Sequence, residues 1–301
     1  MQHALAELRR HGVIGANGIE CVPLRVYRDT AVVVLDRGAG PELVVKVDQP
    51  AMLWAVGRFH EAYRGLPLVS VLRHVNPAHR FLAYDWVPGE LGRGLDPPPE
   101  KAEMLLALAQ GLLCRYVPVD SADAGWLHEL YGAEDGRPRG RTWQQFLGRG
   151  LAGRHDQVRA HLPRGASALV RRLAAAPHRR GEGPLHLLHG DCGAHNFVFQ
   201  EGRLSAVIDP LPVAGEPVFE LAFAFASWPG DLTLDAILPA AEALERAGRW
   251  RPPPRARRRV VIEEVVIALY SRVGTFVVNR PADVPAYLEA WAHWTDLLRR
   301  T

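Results

Sequence analysis

Leu188-His189-Gly190-Asp191-Cys192-Gly193-Ala194-His195-Asn196-Phe197 is the densest run of reactive side chains in the sequence, and thirteen residues after Asn196 comes Asp209, in Val207-Ile208-Asp209-Pro210. Short apolar runs at Leu185 to His189, Asn196 to Gln200 and Leu204 to Asp209 predict small strands or hairpin arms around these residues. Phosphoryl transfer needs a carboxylate to orient and deprotonate the attacking hydroxyl, and oxygen ligands for the Mg²⁺ that bridges the nucleotide phosphates. Asp191 on a loop between two strands, Asn196 five residues on, and Asp209 after the next strand have the chemistry for those tasks. The α- and β-phosphates also need a cation. Lys46, in the apolar segment Leu43-Val44-Val45-Lys46-Val47, offers one on an N-terminal strand.

Composition makes that lysine conspicuous. Of 36 basic residues only Lys46 and Lys101 are lysines, a skew that points to codon bias on ordinary surface positions. A lysine retained inside an apolar segment is different, because the two cations differ in shape and pKa. The 301 residues suffice for one large domain or two lobes sharing a cleft, and 48% hydrophobic with 23% charged residues is a globular balance. No apolar run reaches the roughly 18 residues of a membrane span. The charged N-terminus, Met1-Gln2-His3-Ala4-Leu5-Ala6-Glu7-Leu8-Arg9-Arg10, lacks the apolar stretch of a signal peptide, so a cytoplasmic protein is expected. Three separated cysteines, Cys21, Cys114 and Cys192, define neither a disulfide framework nor a zinc finger. A net charge of +3 is too small to imply nucleic acid.

Working outward, the N-terminal part is β-rich. Ile19 to Val26, Thr30 to Leu35 and Glu42 to Val47 predict strands, the last two joined through Asp36-Arg37-Gly38-Ala39-Gly40-Pro41. Pro50 to Arg64 has helical spacing, and Leu68 to Leu72 and Phe81 to Tyr84 predict two more strands. Val87-Pro88-Gly89 breaks the pattern, placing a lobe boundary near residue 87, and a helix is expected from about Glu100 to Leu113. Beyond it the chain is mostly helical. The basic run Arg249 to Arg259 is better read as a connection before a helix over Val260 to Val273 than as a nucleic-acid patch.

His189-Gly190-Asp191, Asn196 and Ile208-Asp209, with Gly215-Glu216-Pro217 leading to Glu220-Leu221-Ala222, together resemble the aminoglycoside phosphotransferase family. This is the kinase-like fold shared with choline, homoserine and fructosamine kinases. Lys46 and the hinge-like Tyr84-Asp85-Trp86-Val87-Pro88-Gly89 fall in order, so the resemblance spans roughly residues 20 to 225. Pro210 is closest to fructosamine kinases and streptomycin-type phosphotransferases. The resemblance implies an α+β, two-lobed fold: a five-stranded antiparallel sheet plus helix over 1–87, with a hinge at 84–89, and a mainly helical lobe over 88–301. It implies Asp191 as catalytic base, His189 bracing the loop, and Asn196 and Asp209 as Mg²⁺ ligands. Lys46, a helix glutamate (Glu61 is the available acid), Tyr84, Asp85, Val87 and Arg28 would form the site for ATP or GTP. A bulky Tyr84 under the hinge would favour GTP.

The acceptor is expected to be a small hydroxylated molecule, either an aminoglycoside-like antibiotic, as in resistance enzymes, or a metabolite. Polycationic acceptors call for carboxylates, for which Glu216, Asp231, Glu263 and Glu264 are the candidates, whereas a pI near 8.9 leans towards a metabolite. Glu220 reads as structural. The protein would be a monomer or homodimer with no nucleic-acid or membrane partner. Two alternatives are a kinase-fold protein that binds nucleotide without transfer, and a metallohydrolase using His186, His189, Asp191 and His195.

Overall fold

Side-chain alternation along three consecutive strands sets the N-terminal architecture. In the computed structural model, which describes residues 2–15, 20–27, 30–36, 38, 40–96, 98–130, 142–176, 183–253 and 255–301, these are β1 (Glu20–Tyr27), β2 (Thr30–Asp36) and β3 (Pro41–Val47). With β4 (Leu72–Asn76) and β5 (Phe81–Asp85) they form an antiparallel sheet in the order β1-β2-β3-β5-β4. Because successive side chains point to opposite faces, the sheet builds two apolar layers. Val33, Leu35, Leu43, Val45, Phe81 and Ala83 face one way, against Ala4 and Leu8. Val34, Val44, Leu82 and Tyr84 face the other, against Leu53 and Val56. Lys46 has the parity of Val44 and pairs with Leu82, so it falls on the second face.

A helix covers each face. α2 (Pro50–Ala62) starts with proline in its first turn, where the missing N–H costs nothing, and buries Leu53, Val56, Phe59 and His60. α1 (Gln2–Arg10) was not anticipated from the sequence; it buries Ala4, Glu7 and Leu8 on the outer face. Sequence reading also set the fourth strand about four residues early. Leu68 and Val69 instead pack into the large core of the second lobe.

Glu7 anchors α1. It is 2% exposed, and its carboxylate accepts from Asn76 Nδ2 at 2.6 Å, His79 Nδ1 at 2.6 Å and His74 Nε2 at 2.7 Å. These donors, Asn76 foremost, hold its carboxyl down to about 2, against an ordinary value of 4.5. A depressed carboxyl contributes stability above its ordinary value and loses it as pH falls towards the native one. The stability difference between wild type and Glu7→Gln should therefore shrink as pH falls from about 4.5 towards about 2. Chemical denaturation across that range tests this, and a pH-independent difference would contradict it.

After β5, β6 (Glu90–Leu91) pairs with β8 (Phe197–Gln200), and β8 with β9 (Arg203–Val207). β7 (His186–Leu188) pairs with β10 (Val213–Gly215). The helices are α3 (Lys101–Gly111), α4 (Ser121–Leu130), α5 (Trp143–Gly153), α6 (His155–Val158), α7 (Ala166–Ala174), α8 (Pro217–Phe225), α9 (Leu234–Arg246), α10 (Arg257–Asn279) and α11 (Val284–Arg300). α10 is buried almost continuously from Val260 to Gly274 and lies at the centre of this lobe. It begins three residues before the expected start, drawing in part of the basic run. Arg257 bonds Glu242 and Glu245, Arg249 bonds the Cys114 carbonyl, and Arg259 bonds Glu263, so these cations have partners within the fold. Among the described residues no helix is long and apolar enough to cross a membrane.

Candidate active site

The loop between β7 and β8 carries Asp191, and its shape depends on Gly190. Gly190 has φ +83°, and a Cβ there would lie 1.9 Å from the Leu211 carbonyl oxygen. Only glycine allows the two chain segments to approach so closely. The Gly190 and His189 amides donate to Glu220 at 2.5 and 3.1 Å, and Tyr116 Oη donates to the same carboxylate at 2.5 Å. Burial pushes the Glu220 carboxyl up to about 7, against the pull of those three donors. This bears out the structural reading of Glu220.

His189 braces the loop from within. Its Nδ1 accepts the Asp191 N–H at 3.3 Å, so the proton resides on Nε2, which donates to the Ile208 carbonyl at 3.0 Å. Full burial lowers its pKa to about 4, keeping the ring neutral. Asp191 Oδ2 meets His195 Nε2 at 2.8 Å and Asn196 Nδ2 at 3.0 Å, and Asn196 Nδ2 also reaches the Asp191 carbonyl. Asn196 in turn accepts the Ile208 N–H through its own carbonyl, tying the loop to the segment that carries Asp209. Asp209 has φ +54°, a left-handed conformation that costs a non-glycine residue roughly 1–3 kcal/mol and tends to be retained at functional sites.

Lys46 Nζ contacts Asp209 Oδ1 at 2.6 Å and lies 4.0 Å from Asp48 Oδ2. Lys46, Asp209, Asn196 and Asp191 line one cleft of about 1250 Å³ between the sheet and the helical lobe. Tyr84, Trp86 and Val87 line it as well. Tyr84 is buried against His60, with ring centroids 5.3 Å apart, and burial raises its hydroxyl pKa. The donor set at Asn196 and Asp209 is an amide oxygen and a carboxylate, hard oxygen ligands that suit Mg²⁺.

Several expected site residues fall elsewhere. Glu61 does not reach Lys46: its side chain is 53% exposed and binds Arg64 at 2.6 Å. One residue is a 100° turn of the helix, and it is His60 that α2 directs inward. Burial lowers the His60 pKa to about 4, so the group is neutral. The Asp85 side chain forms a forked pair with Arg73, at 2.6 and 2.8 Å, and lines a separate cavity. Arg28 lies outside the described residues. None of the four acids expected for the acceptor lines the cleft. Glu216 precedes α8 as its N-cap residue, and Asp231 is in an exposed turn near Lys101. Glu263 and Glu264 are buried in α10, the former beside Arg259 at 3.1 Å. His186, His189, Asp191 and His195 form no shared ligand group among the described residues.

Two cleft residues were missed by sequence reading. His195 had been considered only as a metal ligand, yet it touches Asp191. Arg272 lines the cleft from the middle of α10. Its signal was a cation inside the apolar stretch of α10, as Lys46 is a cation inside an apolar strand.

The fold is that of the kinase-like class, an antiparallel sheet packed on a mainly helical lobe. The chain belongs to the phosphotransferase enzyme family, whose model matches residues 23–259. No curated protein sequence matches it significantly. Similar solved structures include a putative aminoglycoside phosphotransferase from Ralstonia eutropha (TM-score 0.59, 15% identity, 98% of each chain covered). The apoenzyme of a macrolide 2'-phosphotransferase from Brachybacterium faecium gives 0.56 at 17% identity, covering 96% of this chain and 97% of that one. A putative fructosamine-3-kinase from Thermobifida fusca gives 0.52 at 18% identity, covering 94% and 97%.

Proposed function

We propose that this enzyme transfers the γ-phosphoryl group of ATP or GTP to a hydroxyl of a small molecule. The observation that carries the reading is the 2.6 Å Lys46–Asp209 contact in the same cleft as Asp191 and Asn196. The nucleotide would lie against the hinge, 84–89, between an N-terminal lobe of residues 1–87 and an acceptor-binding lobe of 88–301. Asn196 and Asp209 would hold Mg²⁺, which when bound supplies positive charge at the phosphates. Lys46 is the protein's own cation for the α- and β-phosphates. Asp191 orients the acceptor hydroxyl and takes its proton late in transfer. Its hydrogen bonds to Asn196 and His195 fix the carboxylate before substrate arrives, the positioning on which phosphoryl transfer chiefly depends.

A second reading, nucleotide binding without transfer, is favoured by one observation: α2 presents neutral His60, and no acid, towards Lys46. Nucleoside diphosphate release, measured with a panel of sugars, amino alcohols and aminoglycosides, separates the two. Mg²⁺-dependent release stimulated by an acceptor supports transfer. Tight nucleotide binding with release no faster than to water supports the second reading.

A further inference from the structure

The acceptor side of the cleft is cationic. Arg272 is 4% exposed and lines the cleft with Asp191, His195, Ser227, Thr275 and Phe276. Its Nη2 donates to the Phe223 carbonyl and to Ser227 Oγ, both at 2.9 Å, and its guanidinium stacks 3.8 Å from the Phe223 ring centroid. The group is thus fixed in place. Nε is buried with no hydrogen-bond partner among the described residues, and Arg272 has no carboxylate within salt-bridge distance there. Buried guanidinium groups are ordinarily paired with acids, because an uncompensated buried charge is costly. Asp191 is the one carboxylate whose charge bears on Arg272, and on the neighbouring Arg154 as well.

Arg272 also has different partners from the lysine that would serve the nucleotide. Lys46 engages Asp209 at the sheet side, whereas Arg272 holds Ser227, whose Oγ accepts the Ala194 N–H on the far arm of the catalytic loop. A Cβ on Gly193 would lie 2.8 Å from Arg272 Nη2, so the guanidinium rests against that loop two residues from Asp191. Among the described residues, beyond Asp191, the acceptor side offers one acid, Asp283, already paired with Arg280 at 3.1 Å. A polycation would find there a fixed cation and, apart from Asp191, no unpaired carboxylate among the described residues. A ligand anion would complete the fork.

We infer that the acceptor carries an anionic group, a carboxylate or a phosphate ester, recognised by Arg272. This rests on the phosphotransferase reading above and names the substrate class of the same cleft.

A series of similar sugars that differ in charge tests it. Gluconate, glucose 6-phosphate, glucose and glucosamine are titrated by calorimetry into protein saturated with a non-hydrolysable Mg-nucleotide. The anionic members should bind roughly tenfold or more tighter than glucose, with glucosamine weakest. Tighter gluconate points to a carboxylate, and tighter glucose 6-phosphate to a phosphate ester. Arg272→Gln should collapse the preference while nucleotide affinity is retained. Arg272→Lys keeps the charge but not the fork and should show an intermediate preference, which serves if the Gln variant does not fold. The inference is overturned if glucose or glucosamine binds as tightly as the anions. It is equally overturned if no anion binds to nucleotide-loaded protein, or if Arg272→Gln loses nucleotide affinity instead. Failure of the wild type to bind Mg-nucleotide would overturn the underlying reading, a separate result.

Discussion

Asp191→Asn should lower phosphoryl transfer by about 10²- to 10⁴-fold, the range a general base contributes, while leaving Mg-nucleotide affinity unchanged. The separation follows from where the carboxylate sits. Asp191 contacts His195 and Asn196, whereas Lys46 contacts Asp209, so the change removes the proton acceptor without touching the lysine contact. Asparagine is the informative replacement because it keeps the shape and loses the basicity. Single-turnover transfer and nucleotide titration on the same preparation would measure both quantities. Full transfer in the variant would mean that another group takes the proton.

Gly190→Ala should be the most damaging glycine-to-alanine change among the described residues, costing roughly 2–5 kcal/mol of stability. A left-handed conformation for a residue with a Cβ costs about 1–2 kcal/mol, and overpacking against structure that cannot yield adds about 1–3 kcal/mol. The obstruction is backbone, the Leu211 carbonyl 1.9 Å from the added carbon, so no side chain can swing aside. Moving that segment would also disturb the Gly190 amide's bond to Glu220 and the His189–Ile208 brace. Gly202 is the control: it has φ +75° but nothing within 4 Å of an added Cβ, so Gly202→Ala should cost only about 1–2 kcal/mol. Denaturant unfolding of both variants would show the difference, and equal losses would mean the loop relaxes more easily than its contacts indicate.

The parts of the site that were legible in the sequence are those set by local spacing. His189, Asp191, Asn196 and Asp209 sit on short strands and the loops between them, where a few residues determine their neighbours. The apolar run around Lys46 likewise put it on an N-terminal strand, which is β3. What was illegible depends on how distant elements face each other. Glu61 and His60 are adjacent in sequence, but the helix turns one outward to Arg64 and the other inward to Tyr84. Glu263 and Glu264 interrupt an apolar helix, which suggested a polar cleft wall, whereas α10 is enclosed on all sides there. The role of α1 depends on Glu7 meeting His74, Asn76 and His79, partners almost seventy residues away.

The central claim is a Mg-nucleotide site built on Lys46, Asn196 and Asp209, and thermal stabilisation measures it most directly. Wild type and Asp209→Asn are melted with Mg-ATP and Mg-GTP side by side. A ligand that binds only the folded state adds about 2.7 kcal/mol at one hundred times its Kd, enough for a clear rise in Tm. Wild type should be stabilised by at least one of the two, with the larger shift marking the purine admitted beside Tyr84, and Asp209→Asn should lose that stabilisation. An equal shift in the variant, or none with either nucleotide in wild type, would contradict the account.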